Sequence, residues 1–167
     1  MVWKILNPAL GMPAIGEVVD QADGYVEPVP YGLIVQAFDE TYGAGEFIFL
    51  KGVASTAQYN AVVYNEDDYS TTRTVADLIG PVAIAMGAIV ASKCGWYQIG
   101  GKGVVTAGTV TDNGNVYVTA TPGSLDDAVV AGDRVKRAKF ASANGTPSTG
   151  LAEIEIQRPF VDDGTAA

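Results

Sequence analysis

Adjacent carboxylates occur three times in the sequence, at Asp67-Asp68, Asp126-Asp127 and Asp162-Asp163, and these pairs would matter most in a hydrolase. Glycoside cleavage needs two carboxyl groups about 5 to 10 Å apart across a cleft, one to donate a proton and one to attack or activate water. Neighbours along a strand point to opposite faces, and neighbours in a loop are normally solvated, so none of the pairs has that geometry by itself. Asp112-Asn113-Gly114-Asn115 offers oxygen ligands for calcium, but its spacing departs from the calcium-binding loop and its ligands are too few. It reads as a turn. The stretch from Gly95 to Gly103 has the glycines of a phosphate-binding loop. However, Gly101 stands where that motif needs lysine, and Lys102 is followed by Gly103 instead of Ser or Thr. The chain contains no histidine, which removes Ser-His-Asp and Cys-His arrangements and the common zinc sites. No catalytic, cofactor-binding or metal-ligating residue is assigned, and the chain is expected not to be an enzyme.

Binding chemistry has better candidates. Arg134, Lys136, Arg137 and Lys139 form the one basic cluster in an acidic chain. In a regular strand Arg134 and Lys136 share one face and Arg137 and Lys139 the other, so no continuous stripe is expected. Two roles fit them: charges that protect an edge strand from aggregation, or a contact with an acidic partner surface. Trp96 and Tyr97 suit either sugar stacking or a core or subunit interface. Trp3, Ile5 and Leu10 lie in a segment punctuated by Pro8, Pro13, Pro28 and Pro30. Proline removes backbone donors and extends the residue before it, so residues 1–30 read as an arm. Such an arm wraps its own domain or lies along a neighbouring subunit; both keep Trp3 and Ile5 from water. Trp3, Ile5, Leu10, Arg134 and Lys136 are the candidate partner contacts.

The elements that must position these residues are strands. With 167 residues the chain suits one domain and can bury roughly two thirds of its unfolded surface. Twenty glycines and 17% charged residues favour many turns over long helices. A net charge of −9 repels phosphate backbones, so nucleic acid is not an expected partner. The single Cys94 cannot form an internal disulfide and reads as a small semi-buried side chain. The N-terminus lacks a secretory signal pattern, and Val75 to Val90 is interrupted by Asp77, Gly80, Pro81 and Gly87, so no membrane span is expected.

Alternation predicts a hairpin over Leu33 to Lys51, a second over Ala61 to Val75, and strands at Val116–Thr121, Arg134–Ala141 and Leu151–Gln157. In the apolar centre, from Gly80 to Gly108, Val82, Ile84 and Met86 share one face and Ala83 and Ala85 the other. Gly95–Ile99, Gly100–Gly103 and Val104–Thr106 then read as a glycine-turned hairpin. Ser124 with Asp127 resembles a cap for a single helical turn. The expectation is an all-β chain: a compact barrel or sandwich over residues 31–161, with little helix, the extended arm before it, and a flexible tail at 162–167.

GEFIFLKGVAST (45–56), GPVAIAMGAIVASKCGWYQIGGKGVV (80–105), ATPGSLDDAVVAGDRV (120–135) and TPSTGLAEIEIQRPF (146–160) together resemble small structural proteins of tailed bacteriophages, most closely capsid decoration or cement proteins. The resemblance covers residues 33–161 and rests on composition and turn pattern. It implies a β domain, made in the host cytoplasm and bound to the outside of the assembled capsid, often as trimers. Its implied partners are the major capsid protein and neighbouring copies of itself, with no cofactor and no catalytic residue to carry over. A fibre- or tail-associated module binding host glycan is the alternative.

Overall fold

Among the described residues, 1–21 and 29–162, this computed structural model contains twelve strands and no helix. In order they are β1 (Lys4–Ile5), β2 (Val18–Asp20), β3 (Ile34–Asp39), β4 (Gly43–Lys51), β5 (Ala61–Tyr64) and β6 (Thr71–Arg73). Then come β7 (Gly80–Ala85), β8 (Lys93–Thr106), β9 (Asn115–Val118), β10 (Leu125–Asp126), β11 (Arg134–Phe140) and β12 (Leu151–Val161). The pairings between these strands are all antiparallel. The sheet runs β1-β3-β4-β8-β7-β12-β11-β9-β10, with β5 and β6 built onto β7 and β2 onto β8, and it does not close on itself. The chain is all-β, and both expected hairpins form, as β3–β4 and β5–β6.

The expected glycine-turned hairpin does not form. Residues 93–106 run as one strand, β8, which pairs with β4 through residues 94–101, with β2 at 93–95, with β7 at 97–98 and with β12 at 100–106. Its glycines serve close approach instead of reversal. A Cβ on Gly101, where φ is +93°, would lie 2.4 Å from the Ala44 carbonyl oxygen, and one on Gly103 would lie 2.0 Å from Gln98 Oε1. The register against β4 slips between Glu46 and Phe47, leaving Ile99 as the extra residue. The fully buried Gln98 amide donates to the Gly100 and Lys102 carbonyls at 3.1 and 3.0 Å, bracing the glycine segment from within its own strand.

Three apolar clusters follow from the alternation. Val82 and Ile84 join Val105, Phe140 and Ile154 on one side of β7, while Ala83 and Ala85 face Ile48, Leu50 and Tyr97 on the other. Met86, expected with Val82 and Ile84, belongs to a third, aromatic cluster because β7 ends at Ala85. The expected helical turn at Ser124–Asp127 is also absent. Pro122-Gly123 forms a turn closed by Ser124 N–H on the Thr121 carbonyl, and Leu125 then pairs with Val118 as part of β10. Burial of Leu125 in the core outweighs the weak local cap.

The described part of the arm wraps its own domain. β1 pairs with β3 and β2 with β8. Trp3 packs edge-on against Phe47, with ring centroids 4.8 Å apart, and Ile5, Met12 and Ile15 pack around the same cluster. The rest of the arm reading, at residues 22–28 with Pro28, and the expected flexible tail at 163–167 lie outside the described residues.

Asp39 fastens the start of the arm. Its buried carboxylate accepts the backbone N–H groups of Val2 at 2.7 Å, Thr41 at 2.9 Å and Tyr42 at 3.2 Å. Burial pushes its pKa up, but the three donors outweigh burial and hold it below the usual 3.8. A depressed carboxylate stabilises the fold above the unfolded pKa, and that contribution is lost as pH falls through the folded value. Asp39→Asn is therefore expected to lower stability at neutral pH by about 1 to 3 kcal/mol. In urea titrations repeated down the acid range, the gap from wild type should narrow below pH 3.8. A gap that stays constant there would refute the assignment.

Candidate functional site

The inward residues of β11 are Val135, Ala138 and Phe140, and those of the end of β12 are Ile154, Ile156, Pro159 and Val161. Each set contains one gap of three in place of two. A strand with that burial demand must bulge, and both do. Lys136 pairs with Phe160 and Ala138 with Ile156, so Arg137 stands opposite residues 157–159. Arg137 has φ +60° and Arg158 φ +47°. The regular-strand expectation for the basic cluster is corrected by this bulge. Arg134, Lys136, Arg137 and Lys139 are all exposed, with Val135, Ala138 and Phe140 turned toward the core. The three-residue gaps were the available signal, and strict alternation overlooked them.

Beside the bulges the surface is recessed. A cleft of about 700 Å³ has Gly45, Gly100 and Gly101 along it, with Glu46, Arg137 and Arg158 at its sides. A second, of about 580 Å³, continues past Arg137 and Arg158 to Ile34, Ile48 and Phe160. A third, of about 620 Å³, is bordered by Lys102, Arg137 and Lys139. Lys102, Lys136, Arg137, Lys139 and Arg158, five of the chain's ten basic residues, border these adjoining clefts, and Arg137 borders all three.

The neighbouring cations have acidic partners. Lys102 meets Glu153 at 2.8 Å, Lys139 meets Glu155 at 3.2 Å, Arg158 meets Glu46 at 3.2 Å, and Lys136 contacts Asp162. The hydrogen bond to Glu153 raises the Lys102 pKa, so that ammonium stays charged. Arg134 donates to the Asn115 side chain at 3.0 Å. Among the described residues nothing engages the Arg137 guanidinium. Apart from Lys102–Glu153, where the glutamate is half-buried, these pairs are exposed and add little stability, so their main effect is on the local field.

The other sequence candidates separate. Trp3 is buried and Ile5 half-buried against the domain's own aromatic cluster, whereas Leu10 is fully exposed. Trp96 and Tyr97 are both fully buried, so neither ring presents a face to a sugar. Trp96 Nε1 donates to the Pro13 carbonyl at 2.9 Å, and burial raises the Tyr97 pKa. Cys94 is buried. Asp68 and Asp126 brace their own turns, accepting from Ser70 and from the Ala128 N–H, while Asp127 accepts from the distant Thr111. Burial raises the Asp126 pKa, while the Thr111 hydrogen bonds lower that of Asp127. Asp163 lies outside the described residues. Asn113, at φ +62°, makes the turn expected at 112–115, and its side chain accepts from Lys139. Among the described residues no group of three or more Cys, Asp or Glu side chains could hold a metal ion.

No protein-family model matches the chain, and no curated protein matches it.

Proposed function

We propose that this chain is a non-enzymatic structural protein of a tailed-bacteriophage particle that binds the outer surface of the assembled capsid and cements it. Its partners on this reading are the major capsid protein and neighbouring copies of itself, arranged as trimers. The observation that carries the reading is the β11 bulge, which leaves Arg134, Lys136, Arg137 and Lys139 exposed together on a chain of net charge −9. That face suits an acidic protein surface, and the overall field disfavours the packaged nucleic acid. The sequence resemblance supplies the capsid itself. Cementing needs only modest affinity per copy, because copies that bind the assembled shell and not its free subunits shift the equilibrium by mass action.

Co-sedimentation of the purified protein with undecorated capsids tests this. Saturable binding is expected, with regularly spaced density on the outer shell by cryo-electron microscopy. Arg134→Glu combined with Lys136→Glu should weaken occupancy by about tenfold or more, since like charges across an interface are strongly disfavoured. Protein that stays in the supernatant, or density confined to the tail, overturns the proposal.

A further inference from the structure

We infer that the cleft around Arg137 is a carboxylate-binding site for an extended segment of a partner protein that carries one acidic residue followed by an apolar one, with the Arg137 guanidinium as the fork that receives the acid. The inference rests on this chain's own geometry and holds whether or not the partner is a capsid.

The first support is the contrast between Arg137 and its neighbours. Lys102, Lys136, Lys139 and Arg158 each have an acid from the same chain, while among the described residues Arg137 has none, although it borders all three clefts. A guanidinium offers two parallel N–H donors to a carboxylate, which makes an unengaged arginine at a cleft junction well suited to one acid. The second support is backbone conformation. Arg137 sits at φ +60°, which disfavours any residue with a Cβ and suits glycine. The bulge alone therefore does not call for arginine here.

The shape of the recess identifies the class of ligand. Gly45, Gly100 and Gly101 line part of the first cleft with backbone alone, and Glu46 stands beside Gly100, so an extended segment can lie against the sheet there. Past the two arginines, Ile34, Ile48 and Phe160 offer an apolar continuation for a neighbouring side chain. An acidic residue followed by an apolar one matches this order. A phosphodiester chain does not. It needs repeated free cations, whereas this recess has one unengaged arginine, with Glu46 and Glu66 on its walls and a net charge of −9 behind it.

Fluorescence polarisation with a short labelled peptide that carries one glutamate followed by leucine in an otherwise uncharged sequence tests the site, with labelled oligothymidylate as the competing probe. Saturable peptide binding is expected, weaker by at least about tenfold in Arg137→Gly, with the melting temperature of that variant equal to or above that of the wild type. Arg137→Lys should bind with intermediate affinity, because an ammonium keeps the charge but loses the fork. In the unaltered protein, the Arg137 Nε–H resonance should shift on peptide titration, a readout independent of any variant's folding. Absent or unsaturable peptide binding, binding indifferent to Arg137→Gly, or oligothymidylate binding at least as tightly through Arg137 overturns the inference. Capsid binding without peptide binding would leave the decoration role standing and remove this site.

Discussion

Trp96→Ala is expected to destabilise the protein by about 3 to 5 kcal/mol, the usual loss when a buried large aromatic is truncated. Trp96 is fully buried in β8, at the centre of the cluster that holds Trp3, Phe47 and Phe49. Its ring meets Phe49 edge-on at 5.1 Å between centroids, so truncation removes an aromatic pair as well as volume. It also removes the indole N–H that holds the Pro13 carbonyl, a link between β8 and the arm beside the β2–β8 pairing. Two consequences should therefore appear together: a large drop in the urea midpoint, and faster proteolysis near Pro13 under native conditions. Trp96→Phe keeps most of the apolar volume and loses the donor, so it should cost less globally while still exposing the arm. If Trp96→Ala leaves both the midpoint and the cleavage rate unchanged, the packing of the arm over β8 is wrong.

Gly101→Val should be comparably severe, at about 3 to 5 kcal/mol, through two separable effects. At φ +93° any Cβ is strained, which costs on the order of 1 to 3 kcal/mol. The added atoms would also press on the Ala44 carbonyl oxygen at 2.4 Å and on Gly45 Cα at 3.0 Å, backbone that cannot rotate away. Gly101 is paired with Gly45 on β4 and with Ile156 on β12, so a shift there disturbs the junction of three strands. Gly145→Val supplies the comparison, since Gly145 has φ +106° but nothing within 4 Å of its added Cβ. The difference between the two variants in urea unfolding isolates the steric effect. Equal losses would mean that β8 does not press against β4 at this point, and the continuous strand would have to be abandoned in favour of a turn.

Much of the fold was readable in local pattern. Leu33 to Lys51 and Ala61 to Val75 announced their hairpins because alternation and turn residues act over a few neighbouring positions. The inward set Ile154 and Ile156 was legible for the same reason. The binding face was only half legible. The basic residues stood out as a cluster, but their presentation depended on two bulges whose signal was the gaps from Val135 to Ala138 and from Ile156 to Pro159. The solitude of Arg137 could not be read at all, because it depends on where Glu46, Glu153, Glu155 and Asp162 point their carboxylates.

The sequence by itself determined an all-β chain, its main turns, and the acidic charge that sets the basic cluster apart. Only the tertiary structure decided that Gly100 to Gly103 run straight through the sheet, that Trp3 returns to its own core, and that Arg137 stands unengaged at the junction of the clefts. The physical reason is common to all three. Glycine permits a turn and a close crossing equally, an indole is buried as well by its own domain as by a neighbour, and a charge is paired or left alone by side chains distant in sequence. Local propensity cannot separate such alternatives, whereas packing against Ala44, Phe47 and Pro13 does.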